Sequence, residues 1–218
     1  MKTSLARVQG RANVFVAALL AAFCALSGCL SKPPLKKQTF TFAAPATAPA
    51  NAGAGGRVLG IRHLRIAPPF DGRSLVYRTG DFSYVRDPYA EFLAPPEEEM
   101  LAPVRGWLRG DDTFSAVVES DSALKPNTLV EINVTRLFGD FRQSKSPAAV
   151  FTMRCVFFDA RNGVPEKVLL QQEYSRTIPL KAPSAAALVD GWNRALGEML
   201  AQAASDLRRI RALDQASR

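Results

Sequence analysis

Residues 129–138 read LVEINVTRLF, and this regular alternation of apolar and polar side chains decides the fold. From Val130 to Val134 the apolar side chains share one side of an extended chain, and the polar side chains share the other. The same pattern returns at 149–157. Strands that bury only one face are typical of an antiparallel sheet, so the sequence predicts neighbouring antiparallel strands in this region.

Two helices are predicted beside these strands, one before them and one after. Pro95 and Pro96 suit the start of the first helix, and the acidic residues 97–99 complement the positive end of its dipole. Apolar residues then recur on one face as far as Leu108. Ser184 suits the N-cap of the second helix, whose apolar residues recur every three or four positions. We expect an α/β fold, a single domain whose mixed, largely antiparallel sheet carries two main helices.

The remaining strands are less regular. Residues 58–67 are apolar on both faces, which predicts a central strand. Further extended segments are predicted at 38–42, at 75–79 and 81–85 with an interruption at Gly80, and at 168–178 after a turn at Asn162-Gly163.

The excess of positive charge lies in the N-terminal part of the chain. The whole sequence carries a net charge of +8, but residues 57–218 hold 22 basic and 20 acidic side chains. Residues 1–28 and 29–56 supply the rest without a single acid. The composition therefore gives no reason to expect a nucleic-acid partner, and we predict none.

The N-terminus has the pattern of an export signal. Basic residues precede the apolar run at 14–26, whose helix would rise only about 20 Å and fall short of the roughly 30 Å bilayer core. Such a run is typical of a signal peptide, which we place at 1–28. It ends in the pattern of a bacterial lipobox, formed by Leu26, Ser27, Gly28 and the lipidation site Cys29.

Acylation of Cys29 would fix the mature protein to a membrane, because several acyl chains suffice for stable anchoring. Leu30 stands where an aspartate would indicate retention in the inner membrane, so we expect an outer-membrane location facing the periplasm. The predicted organisation is a lipidated N-terminus with a basic stem at 29–37, a domain at 38–212 with a flexible loop at 43–56, and a frayed tail at 213–218.

Residue types that perform catalysis are scarce and scattered. The sole histidine, His63, lies within a predicted strand, and Cys155 lies on the apolar face of another. One histidine and one available cysteine do not make a zinc site, and Asp111-Asp112 suits a turn at least as well as a metal. We therefore predict no enzyme, no catalytic residue, no metal and no cofactor.

Aromatic residues gather in the segment between the first strands and the first helix, which is predicted to be irregular. If exposed, they would form a contact surface for a protein partner or for lipid, the alternative being ordinary packing in the core. These residues are Phe70, Tyr77, Tyr84, Tyr89 and Phe92.

The order of these features resembles the auxiliary lipoprotein family of ABC-type transporters, the lipoprotein partners of systems with a periplasmic MCE-domain protein. The resemblance covers nearly the whole mature chain. It is carried by the lipobox, the aromatic residues Phe40 and Phe42, the segments 64–78, 92–96 and 157–160, and the alanine-rich helix at 185–207.

This resemblance implies a mixed-sheet α/β domain similar to anticodon-binding folds. It implies a membrane-anchored docking subunit without catalysis, which serves an MCE-domain protein and an ABC permease and ATPase in moving lipids or other hydrophobic compounds. Two further partners stay open, a bound lipid and a second copy in a homo-oligomer. The alternative function is an outer-membrane lipoprotein that assists assembly of a β-barrel or a lipopolysaccharide exporter.

Overall fold

A computed structural model describes residues 36–43, 57–119, 122–143, 145–161 and 163–216. The predicted signal peptide, the lipobox with Cys29, and loop residues 44–56 lie outside the described residues. Neither helix in the described ranges is long and apolar enough to cross a membrane.

Eight strands and two helices make up the described domain. In chain order they are β1 (Gln38–Phe40), β2 (Val58–Ile66), β3 (Ser74–Arg78), β4 (Tyr84–Phe92), α1 (Pro96–Gly110), β5 (Ala116–Val118), β6 (Thr128–Asp140), β7 (Ala148–Arg161), β8 (Val164–Pro179) and α2 (Ala185–Ala216).

All eight strands join one sheet around β6, and this sheet is mixed, as predicted. On one side β6 pairs with β7, which pairs with β8, and these two longest ladders are antiparallel. On its other side β6 pairs in parallel with β2 along its first half and with β3 at Gly139 and Asp140. Beyond β2 lies β5, and beyond β3 lie β4 and then β1. The predicted central position of β2 is confirmed.

The core lies between the sheet and the two helices, and α2 contributes its largest side chain. Trp192 is fully buried and stacks on Phe92, with ring centroids 5.9 Å apart. Phe42 also stacks on Phe92, with ring centroids 5.2 Å apart. The indole N–H of Trp192 donates to the carbonyl oxygen of Val150 at 3.2 Å, which ties the helix to β7.

Gly191 brings α2 close to the sheet. A Cβ atom at this position would lie 2.7 Å from Cβ of Ala149 and 2.9 Å from Cδ2 of Leu180. Carbon atoms pack at about 3.5–4.0 Å, so only a glycine fits between the helix and β7 here.

Both helices begin as the sequence predicts. Pro96 occupies the first turn of α1, and the backbone N–H of Ala187 donates to Oγ of Ser184 at 3.3 Å, which caps α2. The backbone of α2 is helical to Ala216, which lies beyond the predicted domain end at residue 212, and residues 217–218 lie outside the described ranges.

The segment before α1, predicted to be irregular, contains a strand at Tyr84–Phe92 between β1 and β3, and the turn lies at 79–83. The pairing of β4 with β3 is nevertheless interrupted between Arg86 and Glu91, where Oδ1 of Asp87 accepts from the backbone N–H groups of Tyr89 and Ala90. Strand β5 was not predicted.

The sheet has two ends that carry different connections. One row of paired residues joins Tyr84, Arg78, Asp140, Ala148 and Pro179. Next to this row lie the β3–β4 turn, the β6–β7 connection and the start of α2, and we call this the hairpin end. The opposite end carries the β7–β8 turn and the start of β6, and we call it the cleft end.

Candidate functional site

Two of the five aromatic residues predicted to form a contact surface belong to the core instead. Phe70 is buried, with its ring 5.7 Å from that of Phe138 and 6.2 Å from that of Tyr84. Phe92 is buried in the stack with Trp192. For Phe70 and Phe92 the alternative of ordinary packing in the core therefore holds, because residues distant in the chain cover both rings.

Tyr77 is partly buried and held by two contacts. Its ring stacks on Phe141 at 4.8 Å, and its hydroxyl donates to Oδ2 of Asp87 at 2.5 Å. Burial, and then the hydrogen bond to Asp87, raise the pKa of Tyr77 well above its usual range, so the phenol stays neutral. Tyr84 and Tyr89 are 43% and 48% exposed, and they remain the predicted contact residues that a partner or lipid can reach.

The most exposed aromatic residue of the described domain is Phe82, which the sequence analysis did not single out. It lies at the tip of the β3–β4 turn with 99% of its surface exposed. The only sequence signal for this exposure is the Gly-Asp-Phe-Ser run at 80–83, which suits a β-turn with Asp81 and Phe82 as its two middle residues.

Charged side chains brace this turn. Arg78 donates to the backbone carbonyl oxygens of Gly80 at 3.3 Å and Asp81 at 2.8 Å. Arg142 reaches across from the β6–β7 connection and bonds the carboxylates of Asp81 and Asp140, each at 2.8 Å. Arg142 holds the pKa of Asp140 below its usual range. The turn therefore has a fixed shape even though its aromatic tip touches nothing.

A small cavity opens at the cleft end. Its volume of about 270 Å³ is near the lower limit for pockets that hold small ligands. Gly60 packs closely against Pro126 in the wall of this cavity, since a Cβ at position 60 would lie 2.9 Å from Cγ of Pro126. The lining residues are Gly60, Ile61, Arg62, Glu119, Ser122, Lys125, Pro126, Leu129 and Gly163.

The sheet face away from the helices carries three exposed arginines. Arg65 and Arg154 flank Asn133 in one row across β2, β6 and β7. Arg136 follows on β6, opposite Thr152. None of the three makes an ion pair within the part of the chain that the structure describes. We call this surface the arginine face, and its free guanidinium groups suit an acidic partner.

The residues considered for catalysis have structural partners. His63 lies 3.7 Å from the carboxylate of Glu131, which also binds Arg62. Asp111 and Asp112 both bind Arg208 on α2, at 2.8 and 3.0 Å. Among the described ranges, no three His, Cys, Asp or Glu side chains are grouped so that they could hold a metal ion.

Cys155 is buried in the core, and burial raises the pKa of its thiol to about 12. Because the thiolate is the reactive form, we expect Cys155 in the folded protein to resist modification by Ellman's reagent at pH 8. The same thiol should react fully once the chain is unfolded in urea, which serves as the control. Rapid modification under native conditions would contradict the burial of Cys155.

The fold is shared by solved structures of low sequence similarity. The protein XCC0632 from Xanthomonas campestris, assigned to the family DUF330, is 14% identical with a TM-score of 0.63, over 83% of this chain and 98% of that chain. An uncharacterized protein matches with a TM-score of 0.63 at 13% identity, over 79% of this chain and 99% of its own. No curated protein is similar enough in sequence to count as a relative. These likenesses show that the protein has the fold of these structures, a single α/β domain.

The model of one family matches residues 39–204, which include almost every described strand and most of α2. The chain therefore belongs to the family of ABC-type transport auxiliary lipoprotein components. Membership confirms the family predicted from the sequence, and it associates the chain with an ABC transport system and with the cell envelope.

Proposed function

We propose that the protein is a membrane-anchored periplasmic subunit of an ABC transport system with an MCE-domain protein, and that it serves the transport of lipids or other hydrophobic compounds by docking. The family match over 39–204 carries this proposal. The lipobox at Leu26–Cys29 supports it by supplying an anchor, and we place that anchor in the outer membrane. The subunit performs no catalysis, and the ATPase and permease are separate chains.

The arginine face is the surface that we assign to the protein partner. Arginine is enriched in protein interfaces, where its guanidinium group binds carboxylates in a planar, two-pronged geometry. Arg65, Arg136 and Arg154 are exposed and form no competing ion pair in the described ranges. An acidic surface on the MCE-domain protein would satisfy all three.

Photo-crosslinking in native membranes tests this docking. We expect a p-benzoylphenylalanine at position 154 to capture the MCE-domain protein, identified by mass spectrometry. The same residue at Arg194, exposed on α2, is the matched control and should capture little or none of it. Capture of β-barrel or lipopolysaccharide-export components would favour the alternative function. Capture of no envelope protein at position 154 would contradict docking through the arginine face.

The anchor has its own prediction. We expect Cys29→Ser to abolish incorporation of radiolabelled palmitate, because no thiol is left to receive the diacylglyceryl group. Cys24→Ser is the control and should leave labelling intact, since Cys24 would leave with the signal peptide. Labelling that persists in Cys29→Ser would rule out Cys29 as the anchor.

A further inference from the structure

An exposed apolar tip marks the hairpin end. A phenylalanine that is 99% exposed keeps its whole ring in water, although burial of an apolar ring is favourable. Two more apolar side chains stand directly behind Phe82 on β4, since Tyr84 is 43% exposed and Val85 is 49% exposed. The tip, Tyr84 and Val85 together form an apolar end to the sheet.

The bracing of the turn keeps Phe82 extended from the sheet. Arg78 donates hydrogen bonds to the backbone carbonyl oxygens of Gly80 and Asp81, and Arg142 donates to the Asp81 carboxylate. A loose loop would lose entropy on fixing its tip against another surface, and the hydrogen bonds from Arg78 and Arg142 reduce that loss for this turn. The hairpin is thus preorganised to present one aromatic side chain.

The direction of β1 relates this tip to the N-terminal stem. Strand β1 runs parallel to β4, with Gln38 opposite Ala90 and Phe40 opposite Phe92. Since β4 starts at the hairpin end, the chain before Gln38 approaches β1 from that same end. Lys37 directly precedes β1, and its ammonium group lies 2.6 Å from the carboxylate of Glu91. This ion pair attaches the chain to β4 just before β1 begins.

The length of the stem limits how far the anchor can lie from the tip. Nine residue steps join Cys29 to Gln38, and they extend at most about 30 Å. Phe82 lies about 15–20 Å from the level of Gln38, because the short segment from Ser74 to Arg78 on β3 spans β4 from Glu91 to Tyr84, and the turn adds about 5 Å. The stem is therefore long enough for an acylated Cys29 to reach about 10–15 Å beyond Phe82 along the strand direction, so the anchor and the tip can contact the same bilayer.

The charges around the tip suit a membrane surface. Arg78 and Arg142 are matched by Asp81 and Asp140. Lys145 and Lys181 are exposed at the same end, and neither has an ion pair with another described residue. Unpaired lysines beside an apolar tip favour anionic headgroups.

We propose that the β3–β4 turn is a second membrane contact, in which Phe82 inserts into the interface of the bilayer that holds the acyl chains of Cys29. Lys145 and Lys181 bind anionic headgroups beside it. This inference rests on the proposed acylation of Cys29. The two contacts set the strands upright on the bilayer, with the hairpin end at the membrane and the cleft end directed away from it.

A fluorescent probe at the tip tests the proposal with the acylated protein. Phe82→Cys carries the environment-sensitive dye NBD, and Cys155 is too deeply buried to compete for the label. The matched control is Leu93→Cys, which replaces a 63% exposed side chain at the far end of β4. Both proteins are bound to vesicles of phosphatidylethanolamine and phosphatidylglycerol, and flotation verifies the anchoring.

We expect the dye at position 82 to shift its emission to shorter wavelengths and to resist quenching by dithionite, while the dye at 93 stays in water. Replacing both lysines, Lys145→Ser and Lys181→Ser, should reduce the shift, as should vesicles without phosphatidylglycerol. A protein that floats with the vesicles but shows no shift at 82, or the same shift at 93, would overturn the hairpin contact alone. A protein that fails to float would overturn the anchor on which it rests.

Discussion

Trp192→Ala is expected to lower the free energy of unfolding by about 3–5 kcal/mol. The indole is fully buried between α2 and the sheet and stacks on Phe92. Its removal leaves a cavity beside a rigid ladder of strands, and it deprives the carbonyl oxygen of Val150 of a buried donor. Urea unfolding of the mature chain with Cys29→Ser, followed by circular dichroism, measures the loss.

Trp192→Phe separates the two contributions. It keeps an aromatic ring against Phe92 but removes the indole N–H, so we expect a smaller loss of about 1–2 kcal/mol. A loss below about 1 kcal/mol for Trp192→Ala would be inconsistent with a central packing role for this residue.

Gly191→Val is expected to destabilise the domain by about 2–3 kcal/mol, although valine is a better helix former than glycine. The first added carbon would already lie 2.7 Å from Cβ of Ala149. That atom is attached directly to the backbone of β7, so no side-chain rotation can relieve the contact. The helix must move away from the sheet and loosen the packing of Trp192.

Gly197→Val is the matched control, since it places the same side chain on the same helix. A Cβ at Gly197 meets nothing within 4 Å. We expect the stability to change by less than about 0.5 kcal/mol, and thermal unfolding of both variants compares them directly. Equal losses at the two glycines would contradict the close approach at Gly191 as the cause of the effect.

The elements with regular periodicity could be predicted from the sequence. Strands β6 and β7 alternate over many residues, and Ser184 caps α2 as its side chain suggests. In these segments the local pattern and the tertiary structure agree, because one face is buried along the whole length. The family resemblance drew on the same segments and was confirmed.

Other features depend on contacts between distant parts of the chain, which a local pattern does not contain. Strand β4 includes Pro88 and several charged residues, so its sequence is atypical of a strand. Phe70 follows two prolines, where exposure is the ordinary expectation, but Phe138 and Tyr84 cover it. Strand β5 has three residues, too few to show an alternation. Phe82 differs from the buried aromatic residues only in its place at a turn.

The parallel pairing of β1 with β4 has a mechanical consequence for an anchored protein. A pull on the stem toward the membrane acts along β1, because the chain enters the strand from the hairpin end. The pull therefore shears the ladder, so its hydrogen bonds share the load instead of opening one after another. The ion pair of Lys37 with Glu91 and the stack of Phe42 on Phe92 resist the same displacement. The three residues of β1 and these two contacts would thus transmit force from an acylated Cys29 to the core.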